Sequence, residues 1–168
     1  MEKWNRNSQK KRNQPAFAEQ KNNLYLQAIQ KMDETSVLPG AIVVLEYLKK
    51  TNIKIGLGSA SKNASLILEK TNLTSYFDVI IDCTQVSKAK PDPEVFLKGA
   101  QQLNVPPNVC LVIEDSEAGC QAALAGNMHV LGIGENINLP SAEYVIPDLT
   151  VFDQVRSFWH LSEAVSRV

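Results

Sequence analysis

The chain has 168 residues, 44% of them apolar and 21% charged, with a formal net charge of −1, and a length of that order fits one domain that buries about 70% of its unfolded surface. So even a balance does not call for nucleic acid or an anionic membrane as partner, and no window approaches the roughly 18 apolar residues of a membrane span. Cys83, Cys110 and Cys120 form no C-x-x-C pair and read as reduced core thiols of a cytoplasmic protein.

In chain order, residues 1–16 open with MEKWNRNSQKKRNQ, where Lys3, Arg6, Lys10, Lys11 and Arg12 outweigh Glu2. This reads as a basic, poorly ordered arm, because it has no apolar stretch for a signal peptide and no stacking aromatics beyond Trp4. From Phe17 to Met32, Leu24, Ala28, Ile29 and Met32 recur at helical spacing, which predicts an amphipathic helix. LPG (Leu38 to Gly40) breaks it, and a second helix runs from Gly40 to Lys50. Asn52 turns the chain into IKIGLGSAS, an apolar strand with a small polar end. Alternation follows: helix 62–71, strand FDVIID, helix 93–103, strand VCLVIED, helix 117–125, strand HVLGIG, a short strand AEYVIP, and a last helix from Phe158 to Val165. The pattern predicts an α/β fold, a Rossmann-like mostly parallel sheet with helices on both faces.

In such a sheet, sites form beyond the carboxyl ends of the strands. Ser59, Ala60, Ser61, Lys62 and Asn63 follow the first strand, Lys90 lies in the loop after the second, and Glu114 with Asp115 end the third. Taken singly, Ser59 suits a strand end or helix cap, Lys90 a solvated surface, and Glu114 and Asp115 the capping of a helix. Together they suit a phosphate with a hard cation: hydroxyls, amides and an ammonium hold the anion, and Mg²⁺ commonly takes one or two carboxylates along with waters and phosphate oxygens.

GLGSASKN (Gly56 to Asn63), SKAKPDPEVF (Ser87 to Phe96) and VIEDSEAGCQAALAG (Val112 to Gly126) resemble, in order, the second, third and fourth motifs of the haloacid dehalogenase superfamily. Within it, SVLPGAIVVLEYLKK, SASKNASLILEKTNLTSYFDVI and YVIPDLT are similar to the β-phosphoglucomutase group. The resemblance implies a cap remnant over 17–36 and a core over 37–168. It also implies conversion of β-glucose 1-phosphate to glucose 6-phosphate through a bisphosphate, with Mg²⁺ as cofactor and a hexose phosphate as partner. In that scheme Ser59 and Lys90 hold the transferring phosphoryl group. Ser61, Lys62 and Asn63, next to Ala60, meet the second phosphate; Lys21 reaches the sugar phosphate from the cap; Glu114 and Asp115 belong to the Mg²⁺ shell.

The group's first motif, a strand running into D-x-D-x-T/V with the nucleophilic aspartate, has no counterpart here, since Asp92-Pro93-Glu94 follows a proline and no apolar run. The expectation is a chain that begins inside the cap, is inactive alone, and exposes an apolar cleft between the strands ending at Ser59 and Glu114, where the missing N-terminal segment or a partner chain would bind. The same residues would also serve a sugar-phosphate phosphatase of the superfamily, or a non-catalytic remnant that binds phosphate or a partner chain.

Overall fold

Residues 22–155 are described by the computed structural model. The basic arm, Lys21, the start of the first helix and the helix expected from Phe158 to Val165 lie outside them. Helix α1 occupies residues 22–30 and buries Ile29. Leu24 and Ala28 of its expected apolar face are exposed, as is Tyr25, because no described element packs over them.

Helix α2 (Ala41–Lys50) starts at Gly40, whose φ of 82° lies in the left-handed region and whose Cα faces the Leu149 backbone so closely that a side chain would collide with it. Strand β1 (Gly56–Gly58) leads through α3 (Ala64–Lys70) to β2 (Val79–Ile81), and α4 (Glu94–Leu103) leads on to β3 (Leu111–Glu114). Helix α5 (Glu117–Ala125) connects β3 to β4 (His129–Ile133), and β5 (Tyr144–Ile146) follows. All pairings are parallel, as expected of helical crossovers. The strands nevertheless divide into two sheets, β1-β2 and β3-β4-β5. Helix α4 packs on both strands of the first sheet and touches α5, which lies on β3 and β4, so that helices join the two sheets.

Strand β4 carries the fully buried Val130 and Leu131, which face two cores. One core gathers Ala100, Val112, Cys120, Ala123, Met128, Val130 and Leu139; the other gathers Val44, Leu131, Ile146, Phe152 and Val155. Ile113, in the middle of β3, is 36% exposed, which is unusual for a residue of a parallel strand. Neither β1 nor β3 has a strand on its second edge among the described residues. The first strand is also shorter than its apolar run suggests. The Ile53 amide donates to the Leu48 carbonyl and the Ile55 amide to the Asp78 carboxylate at 2.7 Å, leaving only Gly56–Gly58 in a ladder.

Four helix ends share one device. Asn52, Asn72, Asn104 and Asn127 have φ between 55° and 58°, and the amide of the next residue donates back to a carbonyl five positions earlier (Ile53 to Leu48, Leu73 to Leu68, Val105 to Ala100, Met128 to Ala123). Each is a Schellman stop, with an asparagine tolerating the left-handed position and an apolar residue closing the turn.

One element is unexpected and one expectation, that all three cysteines are core thiols, is corrected. The unexpected element is a helix, α6 (Phe152–Val155). Asp148 accepts the Thr150 amide at 2.8 Å, caps a 3₁₀ turn at Leu149–Val151 and leads the chain into a helix that buries Phe152 and Val155. Of the cysteines, only Cys120 is buried in the core; Cys110 is half-buried, and Cys83 is exposed in the turn that Asp82 holds through the Thr84 amide.

Candidate phosphate and cation site

Strand β1 delivers two interlocked turns. Ser59 stays attached to the sheet by donating its amide to the Ile81 carbonyl at 2.8 Å. Its hydroxyl oxygen accepts the Ser61 amide at 3.1 Å, and the Ser61 hydroxyl accepts the Asn63 amide at 3.1 Å. Both hydroxyls thus have an accepting role filled locally and keep their protons as donors. Asn63 is the residue before α3 and makes no side-chain cap, while Ala60 and Lys62 are exposed.

Lys90 spans the two sheets. Its ammonium donates to the Gly58 carbonyl of β1 at 3.2 Å, pairs with Glu114 of β3, and lies 4.6 Å from the centre of the Phe96 ring, within range of a cation–π contact. The side chains of Lys90 and Glu114 are 13% and 9% exposed, so each charge depends on the other and on the hydrogen bonds around it. Ser116 donates its hydroxyl to the second Glu114 oxygen at 2.8 Å, and the same hydroxyl caps α5 by accepting the Gly119 amide at 3.1 Å. Gly119 is required by proximity: a Cβ there would overlap the Glu114 carboxyl. Next to it, burial first and the Glu114 and Glu117 carboxylates second push the Cys120 thiol upward, keeping it neutral.

Asp115 is exposed and accepts no hydrogen bond among the described residues. No group of three His, Cys, Asp or Glu residues that could hold a metal occurs among them. Glu114 and Asp115 therefore fit Mg²⁺ as a partial set, two hard oxygen donors of the kind that leave the ion its waters and a phosphate oxygen.

The structure brings together Lys90, the β1 end and Glu114, and leaves Asp115 in solvent; Lys21 lies outside the described residues. Sequence reasoning missed Ser116, Phe96 and Glu94. Glu94 Oε2 accepts the Ser87 amide at 2.9 Å, the Ser87 hydroxyl at 2.7 Å and the Lys88 amide at 2.9 Å, and Oε1 meets Lys98 at 3.0 Å. These bonds fasten the loop that carries Lys90, and the Ser87 and Lys98 contacts hold the Glu94 carboxyl down at about 2. A lowered acid contributes stability above its unfolded pKa, near 4.3, and loses it as pH falls through the folded value. Glu94→Gln should therefore lower the urea midpoint at pH 7, and the gap to the native chain should close between about pH 4.5 and 2. A gap that persists unchanged at pH 2 would show that the carboxylate charge is not what holds the loop.

Comparison with known proteins fits this geometry. The family model described as haloacid dehalogenase-like hydrolase matches residues 1–133. The chain belongs to that family. It is 40% identical over 134 residues to β-phosphoglucomutase of Bacillus subtilis (strain 168), a match covering 78% of this chain and 59% of the relative. The crystal structure of β-phosphoglucomutase from Clostridium difficile superposes with a TM-score of 0.81 at 38% identity, covering 89% of this chain and 67% of that one. A phosphorylated carbohydrates phosphatase of Thermotoga maritima is 36% identical over 103 residues, or 60% of this chain and 48% of the relative. The chain thus spans about half to three fifths of the length of these curated relatives. As a haloacid dehalogenase-like protein with a close likeness to β-phosphoglucomutase, it has the α/β fold with parallel strands that its motifs imply. No helix among the described residues is long and apolar enough to cross a membrane.

Proposed function

We propose that this chain is the phosphate-holding core, over 37–168, of a cytoplasmic β-phosphoglucomutase-like phosphotransferase, with a remnant of the cap over 17–36. Its reaction converts β-glucose 1-phosphate to glucose 6-phosphate through a bisphosphate. The observation that carries the reading is the position of the Lys90 ammonium, joined at once to the end of β1 and to Glu114 at the end of β3. One cation at the meeting point of two strand ends is suited to an anion that lies across both.

In this scheme Ser59 donates its remaining proton to the transferring phosphoryl group, and Lys90 neutralises charge that grows on the equatorial oxygens. Ser61, Lys62 and Asn63, together with the amides around Ala60, hold the distal phosphate, and Lys21 contacts the sugar phosphate from the cap. Glu114 and Asp115 are the residues that would hold Mg²⁺, which when bound supplies further charge neutralisation at the phosphoryl group. The nucleophilic carboxylate belongs to a segment that would lie between β1 and β3, supplied by an N-terminal segment or a partner chain.

A phosphatase acting on a sugar phosphate is the second reading, favoured by the likeness to the Thermotoga phosphatase. The two separate by product. With the nucleophile segment supplied, the mutase reading expects glucose 6-phosphate without accumulation of free phosphate, and stoichiometric phosphate release would establish the phosphatase. In that assembly Lys90→Ala should lower kcat by about 10²-fold or more, the scale of losing one preorganised electrostatic contact. Ser61→Ala should raise KM with little change in kcat, since the distal phosphate is held alike in ground and transition states. An unchanged kcat in Lys90→Ala would refute the reading.

A further inference from the structure

We propose that Lys90 is the resident counter-cation of Glu114 and gates the entry of Mg²⁺: the ion reaches Glu114 only when Lys90 leaves it, and a phosphate group draws Lys90 away. The proposal rests on the reading of Glu114 and Asp115 as cation ligands, and deepens it. Both oxygens of the nearly buried Glu114 are engaged, one by the Lys90 ammonium and the other by the Ser116 hydroxyl at 2.8 Å. The Ser116 proton is committed to Glu114, because an ionised carboxylate can only accept, while the Ser116 oxygen accepts the Gly119 amide. A cation that arrives alone therefore finds one open carboxylate, Asp115, and a second already neutralised by a positive charge. Two cations sharing one buried carboxylate oxygen repel each other strongly.

The ammonium also has somewhere to go. It is held by the Gly58 carbonyl at 3.2 Å and by the Phe96 ring, so it can leave Glu114 without leaving the end of β1. That end is where the Ser59 and Ser61 hydroxyls each accept one backbone amide and still have a proton to donate. An anion bound there attracts Lys90 and unblocks Glu114. Phosphate and Mg²⁺ then bind with positive coupling carried in part by one lysine, and linkage requires the coupling to be equal in both directions.

The test is calorimetric titration of the full chain with Mg²⁺, with and without inorganic phosphate. Lys90→Met should tighten Mg²⁺ binding in the absence of phosphate by at least about 10-fold, as expected when a like charge is removed from within a few ångströms. The factor by which phosphate tightens Mg²⁺ binding should be smaller in the variant than in the native chain. Because Lys90→Met leaves Glu114 unpaired, circular dichroism checks its fold, and Lys90→Gln, which keeps a neutral donor, should show the same direction with a smaller gain. A measurement on the native chain is independent of both variants: reductive methylation of Lys90, followed by mass spectrometry, should speed up in saturating Mg²⁺. Unchanged or weaker Mg²⁺ affinity in a folded Lys90 variant, or methylation indifferent to Mg²⁺, would overturn the gate. Glu114→Gln separates the two levels. Loss of Mg²⁺ binding there, with no gain in Lys90→Met, defeats the gate alone, whereas undiminished binding in Glu114→Gln defeats the cation-site reading beneath it.

Discussion

Mixed with the N-terminal part of a β-phosphoglucomutase, as a separate polypeptide or as a fusion, this chain is expected to acquire Mg²⁺-dependent conversion of β-glucose 1-phosphate to glucose 6-phosphate. Alone it is expected to show none. The basis is the divided sheet. β1 and β3 each present an edge that no described strand covers, and Ile113 of β3 is 36% exposed. Parallel edges with free amides and carbonyls are templates for another strand, and covering the exposed third of Ile113 contributes about 0.5–1 kcal/mol. The two edges meet at Lys90, so a strand seated there would end beside the phosphate-holding residues, where a carboxylate at its tip could attack phosphorus. A coupled assay with glucose 1,6-bisphosphate measures the outcome. Turnover by the chain alone at a rate typical of a complete mutase would contradict the account, and so would an assembly that folds and binds Mg²⁺ yet leaves every hexose phosphate unchanged.

Gly119→Ala is expected to be the most damaging single methyl in the site. Helix α5 passes so close to Glu114 that a Cβ at 119 would occupy the space of its carboxyl group. The carboxylate would have to swing out, leaving Lys90 without its counter-charge and Ser116 without its acceptor. Overpacking costs about 1–3 kcal/mol, and a nearly buried ammonium that has lost its counter-charge adds to it. In the assembled enzyme, kcat should fall at least as far as in Lys90→Ala, by about 10²-fold or more. Ala123→Gly, in the same helix and also buried, serves as a control that weakens α5 by removing a side chain rather than by crowding Glu114. Native activity in Gly119→Ala at a temperature where it is folded would mean that the position of Glu114 is immaterial.

Element order was legible because apolar runs alternate with helical spacing and asparagines punctuate the helix ends. Strand length was not, since Ile53 and Ile55 read as strand residues but give their amides to Leu48 and Asp78; periodicity cannot say which partner an amide finds. Phe152 and Val155 escaped notice as a helix because the Asp148-capped 3₁₀ turn that leads into it stands in a short segment with little periodicity. In the site, residue types at strand ends pointed to a phosphate and a cation. The pairing of Lys90 with Glu114 across 24 residues could not be read, because a charge pair in sequence leaves no spacing signature. Glu94 left a faint one, an acid seven residues beyond Ser87 in the lysine motif.

The four asparagine stops carry a consequence for how such a chain can change its chemistry. Asn52, Asn72, Asn104 and Asn127 return the chain toward β1, β2, β3 and β4 by the same backbone turn, all at the end of the sheets opposite the site. Where each of β1 to β4 begins is thus fixed by standard joints that take no part in binding. The loops at 59–63, 87–92 and 115–118 are released from that duty and can be lengthened, recharged or replaced without resetting a strand. Innovation and framework occupy opposite poles of the molecule, and a new substrate preference would be written at one pole while the other keeps the grammar of the fold.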